Sequence, residues 1–233
     1  GFGRAISLAL AARRAQVWAI DIEAQELAQT VQLCLDAGGR CIGRTVDITR
    51  LASVNWTGSV DNLWSTPGNW QGLAIPDASN VAAVVINSGS GDITHDVAGV
   101  NINMLNTTRR IVQSTGSFGT SAAPAQLVVT TTAGIALDNP ANHIGMLSVS
   151  NSVSGDISVQ NTGTLDVAGL TNTAGSIRLV NTGGVTTTGL VRAVAGDVTI
   201  AANSPLTIGS FGVTADVGSV TLAANNSDGM LTL

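Results

Sequence analysis

Three tryptophans, Trp56, Trp64 and Trp70, stand close together in the chain. Exposed aromatic faces stack on sugar rings, so the trio could form a glycan platform; buried together, the same rings would cap the open end of a hydrophobic core. His95 and His143 are the only imidazoles, and neither stands at metal-ligand spacing. His95 lies in an alternating run beside Asp96 and His143 follows a turn, so both are expected at the surface or at a corner. Gly89-Ser90-Gly91-Asp92 has the texture of a calcium-binding glycine-aspartate repeat, but it occurs once and lacks the rest of the nonapeptide, so no metal is expected. The chain has no Lys and no Tyr, and all ten of its cationic side chains are Arg. Chemistry that needs a Lys amine or a Tyr phenol is therefore excluded. The Asp residues of the repeats are isolated and face outward, which gives a paired-carboxylate glycosidase or a β-helix lyase little support; they read as solubilising charges that discourage lateral association. No catalytic residue is assigned.

The elements that must hold these residues fall into two compositional blocks. Overall the chain is 44% hydrophobic and 11% charged over 233 residues, enough apolar surface to fold. Residues 1–50 carry six Arg against five Asp/Glu, whereas residues 51–233 carry four Arg against ten Asp. Neither block offers a basic surface to nucleic acid. No run reaches the length of a transmembrane helix, so no membrane insertion is expected. With neither an initial Met nor a charged-then-apolar leader, the sequence is expected to be a fragment. Arg4 to Arg14 favours helix. Gln16 to Ile22 suits a strand buried on both faces. Glu23 to Ala37 places Leu27, Val31, Cys34 and Leu35 on one helical stripe, and Arg40 to Ile48 supplies another strand. Cys34 and Cys41 read as a buried thiol and a strand thiol, not a disulfide.

Beyond residue 51 a phrase returns at a fixed distance. Gly155-Asp156-Ile157, Gly175-Ser176-Ile177, Gly196-Asp197-Val198 and Gly218-Ser219-Val220 follow one another at steps of 20, 21 and 22 residues. Each precedes a turn carrying Asn (Asn161, Asn181, Asn203, and Asn225 or Asn226), and a second short strand follows. Leu170, Leu190 and Phe211 mark a third inward position. Such a period, cut into short strands by Gly and Asn, is that of a parallel β-solenoid, whose rungs bury their apolar rows only by stacking. Period-two alternation sends Ile157, Val159, Leu165 and Val167 inward. Asn recurring at one corner predicts an amide ladder. Rungs of this size filling residues 51–233 would number roughly eight or nine and make a rod about 40 Å long.

Two resemblances follow. Gly1-Phe2-Gly3-Arg4-Ala5-Ile6 resembles the end of the glycine-rich turn of short-chain dehydrogenases/reductases. Asp21, at the end of the following strand, stands where that family bonds the adenosine ribose, and Asp47-Ile48-Thr49 resembles its Asp-x-Thr segment beside the adenine. The resemblance implies NAD or NADP bound by Gly1, Gly3, Asp21 and Asp47 in the cytoplasm. Arg14 stands where the family has Gly, and its catalytic Tyr and Lys have no counterpart in this chain.

Residues 52–233 resemble filamentous-haemagglutinin-like bacterial adhesins and related surface β-helix proteins. The resemblance rests on Gly218-Ser219-Val220-Thr221-Leu222 and Asn142 to Val149, and upstream on Trp56-Thr57-Gly58, Trp64-Ser65, Asn69-Trp70 and Pro76-Asp77. It implies a secreted or outer-surface protein meeting glycans or proteins of a host or neighbouring cell. The expectation is a mainly β protein. A partial Rossmann-like α/β fragment (1–50) precedes a Trp-containing cap with irregular first strands (51–105) and a right-handed parallel β-helix with coils of about 20–22 residues (106–233).

Overall fold

The computed structural model describes the chain except residues 1, 22, 46–52, 78–80, 226–230 and 233. Two compact units are present, Gly1–Leu51 and Ala52–Leu233. No helix among the described residues is long and apolar enough to cross a membrane.

The first unit runs α1 (Phe2–Ala11), β1 (Gln16–Asp21), α2 (Ala24–Asp36) and β2 (Arg40–Thr45). The two strands pair in parallel, Gln16 against Arg40 through Asp21 against Thr45, joined by α2 as the crossover. Ala11, Val17, Ala19, Leu27, Cys34 and Cys41 form its core. The expected α1 overran its end: after Ala11 the chain turns, and Arg14 adopts φ 61°. The strand expected to be dry on both faces is dry on one. With two strands and the helices packed against them, Trp18 and its register partner Ile42 remain exposed. On α2 the buried stripe takes Thr30 beside Leu27 and Cys34, while Leu35 faces out. At 100° per residue Leu35 stands about 80° from Leu27, on the rim of the stripe. Both cysteines are free and buried, and burial together with the neighbouring Cys34 thiol pushes the Cys41 thiol up.

The second unit is a parallel β-solenoid of about nine turns, which makes the protein mainly β, with two α-helices among the described residues. Among the described residues one of its sheets has eleven strands and the other seven. Ile93, Ile111, Ile135, Ile157, Ile177, Val198 and Val220 stand in one continuous ladder register through the seven-stranded sheet. A second column through the eleven-stranded sheet runs Val54, Val84, Leu105, Val129, Val149, Leu170, Val191 and Val213. Each apolar row is covered by the rows above and below it, the only cover a single rung can obtain.

The repeated phrase acquires a physical cause for each letter. A Cβ on Gly155, Gly175 or Gly218 would lie 2.4–2.5 Å from a carbonyl oxygen of the adjacent rung, and one on Gly196 would lie 2.6 Å from a carbonyl carbon. The second letter alternates Asp and Ser because each side chain receives a backbone N–H from the next rung. Ser176 N donates to Asp156 (2.8 Å), Asp197 N to Ser176 Oγ (3.1 Å) and Ser219 N to Asp197 (2.7 Å). The third letter is the buried column.

Three expectations are corrected here. The third inward column passes from Leu170 to Val191 and Val213, one place beyond the expected Leu190 and two beyond the expected Phe211, because each of these coils is one residue longer than expected; Leu190 is left half-buried and Phe211 65% exposed. The amide ladder holds between Asn161 and Asn181 (3.0 Å) and then stops. Its next register position is Ala202, which leaves Asn203 exposed. A second ladder, Asn151 to Asn172 (2.9 Å), lies buried where no turn was expected to carry it.

Candidate functional site

Residues 53–76 lie against the first strands of the solenoid. Trp56 N donates to Val85 O, and Trp64 N to Thr94 O, while Thr94 N donates to Asn62 O; the outer edge of the strand Ile93–His95 is thereby occupied. A polar knot folds the segment. Asp61 accepts from Leu63 N (2.9 Å), Thr66 Oγ1 (2.9 Å) and Asn69 Nδ2 (2.6 Å), and buried Asn69 in turn accepts from Val60 N and Asp61 N. The Leu63 N–H is the chief cause holding the Asp61 carboxyl below the ordinary carboxylate value.

This knot sets the three indoles edge to face. Trp70 meets Trp56 and Trp64 with ring centroids at 4.7 Å in both cases, and Trp70 Nε1 donates to Trp64 O (2.8 Å). Trp56, Trp64 and Trp70 are at most 2% exposed, so no ring face is open to a sugar. They rest on the solenoid's own interior: Trp64 stands edge-on to His95 (4.9 Å), and His95 is stacked flat on Phe118 (4.3 Å, 11°).

His95 is therefore in the core and not at the surface where it was expected. Period-two alternation from Ile93 is the signal that would have found it, since both residues fall on the same inward face. Burial pushes its imidazole down to about 3, with Asp96 pulling weakly the other way. Among the described residues neither ring nitrogen has a hydrogen-bond partner, and the same holds for Trp56 Nε1 and Trp64 Nε1. His143 is half-buried at its corner, with Nδ1 3.0 Å from Ala141 O.

Arg109 is the other residue the sequence reading missed. It occupies the inward phase set by Leu105 and Thr107 and lies buried. Its guanidinium stands 5.8 Å from the Trp56 ring centroid and donates to Gly91 O (2.6 Å), Ser90 O (2.5 Å), Ser88 O (3.3 Å) and Asn62 Oδ1 (2.9 Å). Gly89-Ser90-Gly91-Asp92 thus wraps an arginine, and the carbonyls a cation would need are turned onto it. Burial pulls the guanidinium below its ordinary value, against the attraction of Asp92. Arg109→Ala should cost about 1–3 kcal/mol by stranding these acceptors. Arg109→Lys should recover little, because an ammonium lacks the planar set of five donors. Urea denaturation followed by cap tryptophan fluorescence checks both values.

Of the residues proposed for a dinucleotide, Gly3 is the second residue of α1 and Asp21 ends β1. Gly1 and Asp47 lie outside the described residues, so the four are not brought together by anything described. No group of three or more His, Cys, Asp or Glu among the described residues could hold a metal ion. Compared with known proteins, the chain matches no family model, no curated protein and no solved structure.

Proposed function

We propose that the second unit is a right-handed structural and adhesive rod segment of a bacterial secreted or outer-surface protein, without catalysis of its own, and that residues 53–76 close one end of it. The observation that carries this reading is the unbroken register of the Ile93-to-Val220 column, which turns every coil into a spacer of the same kind. Parallel crossovers are overwhelmingly right-handed, hence the assigned hand. The Trp rings are assigned to the cap because burial of three indoles stabilises the end of the described sheet, beside its outermost strand Val54–Asn55. The adhesive surface is assigned to the outward side chains, and its partners to glycans or proteins of a host or neighbouring cell.

The test is retention of beads carrying the full chain on host-cell and glycan-coated surfaces under flow. Retention above that of uncoated beads supports the adhesive role; equality on every surface removes it and leaves a spacer. A second reading, a short-chain dehydrogenase-like fragment in residues 1–50, draws support from the parallel β1-α2-β2 crossover with Asp21 closing β1. Isothermal titration of the full chain with NAD and NADP decides it: saturable micromolar binding favours that reading, and no binding removes it.

A further inference from the structure

His95 is buried between Phe118 and Trp64, where it joins the cap to the first coils. We propose that His95 is an acid-sensitive latch, and that its protonation releases residues 53–76 from the end of the solenoid.

Among the described residues the geometry leaves an imidazolium nothing to bond to. Both ring nitrogens lack partners among the described residues in the closed state. A methyl placed on Gly116 would sit 2.5 Å from Nδ1, so the backbone closes over the ring on that side. The groups around the ring are engaged elsewhere. The Asp96 carboxylate receives Ser65 N on one oxygen (2.9 Å) and Ser65 Oγ on the other (2.6 Å). Gln113, the register partner of His95, is bonded to Asn142 and Asn139. Asp61 is held within its own knot, Arg109 within its carbonyl cradle, and Asp92 belongs to the loop that Arg109 ties together. The Phe118 face offers a cation some attraction, but the loss of water outweighs it.

The sign follows from linkage. In the released state the imidazole recovers its ordinary value of 6.5, and in the closed state burial holds it near 3. The released state therefore binds the extra proton. Closure is fully favoured above pH 6.5 and weakens as pH falls towards 3, with the released population rising up to tenfold per pH unit. Between pH 7 and pH 4.5 the rise is about a hundredfold. Carboxylates respond only at lower pH, where their own ordinary values lie.

The experiment uses the full chain carrying Trp18→Phe, so that Trp56, Trp64 and Trp70 are the remaining reporters. Hydrogen exchange of the Thr94 amide, which is bonded to Asn62 O in the closed cap, is read together with tryptophan emission from pH 7 to pH 4. The expected result is exchange that accelerates about tenfold per unit below pH 6.5 after correction for intrinsic rates, and its loss in His95→Phe. A pH-independent Thr94 exchange overturns the proposal, and so does an acceleration that survives in His95→Phe, which would assign the response to a group other than the imidazole. Should His95→Phe not fold, the imidazole of the Trp18→Phe chain is titrated by nuclear magnetic resonance. A His95 midpoint near 6.5 without change at Thr94 overturns the latch, whereas a strongly depressed midpoint coupled to Thr94 exchange supports it.

Discussion

Ile157→Ala is expected to lower the free energy of unfolding by about 2–5 kcal/mol, the range for a fully buried Ile truncated in a core that relaxes little. Ile157 is 0% exposed and sits mid-column, with Ile135 on one side and Ile177 on the other. Truncation leaves a void that neither neighbour fills without breaking its own ladder. Val220→Ala, in the same column but 41% exposed, should cost well under 1 kcal/mol, as a surface change does. Urea titration monitored by far-UV circular dichroism compares the two. Equal costs would mean that the column is not the core. Because solenoid stability is a sum of neighbour terms, the loss should concentrate in local opening of the adjacent coils, visible as faster amide exchange there than at the two ends.

Gly175→Val is expected to cost at least about 3 kcal/mol, at or beyond the usual upper end for overpacking. The new Cβ would fall 2.4 Å from Gly155 O and 2.6 Å from an Asp156 carboxylate oxygen. The carbonyl cannot swing away, since it belongs to the neighbouring rung. Moving Asp156 instead removes the acceptor of Ser176 N. Gly163→Ala is the control: φ is 99° there, but a Cβ meets nothing within 4 Å, so only the left-handed backbone penalty of roughly 1–2 kcal/mol applies. Thermal denaturation of Gly175→Val, Gly175→Ala and Gly163→Ala separates close approach from backbone strain. A Gly175→Ala protein no less stable than Gly163→Ala would show that the rungs have room to spare.

The residues the sequence misassigned share one feature. Phe211 and Asn203 were chosen by residue type at roughly one coil from the residue before, but the ladder pairs Val191 with Val213 and Asn181 with Ala202. Counting along the chain cannot locate the paired residue, whereas backbone pairing between rungs does. His95 was judged by residue type, as polar and hence outward, against an alternation that already pointed inward. Arg109 was passed over for the same reason: its charge is tolerated inside because five acceptors, four of them backbone carbonyls, converge on it from the loop before its own coil and from Asn62. Leu35 was placed on the core stripe of α2 by its apolarity, although the first unit has only one dry face to offer it.

What the amino-acid order alone determined is the architecture of the second unit: a period of about twenty-one residues, apolar alternation within it, and Gly and Asn at its corners. These are one-dimensional properties, and a fold whose every contact repeats one period away can be read from them. The tertiary structure decided which letters of the period touch. It made the corner glycines obligatory through the carbonyl of the next rung, turned alternating Asp and Ser into a ladder, and put three tryptophans and a histidine inside one end. Those outcomes depend on distances between residues a coil or more apart, where a shift of one place exchanges a buried side chain for an exposed one.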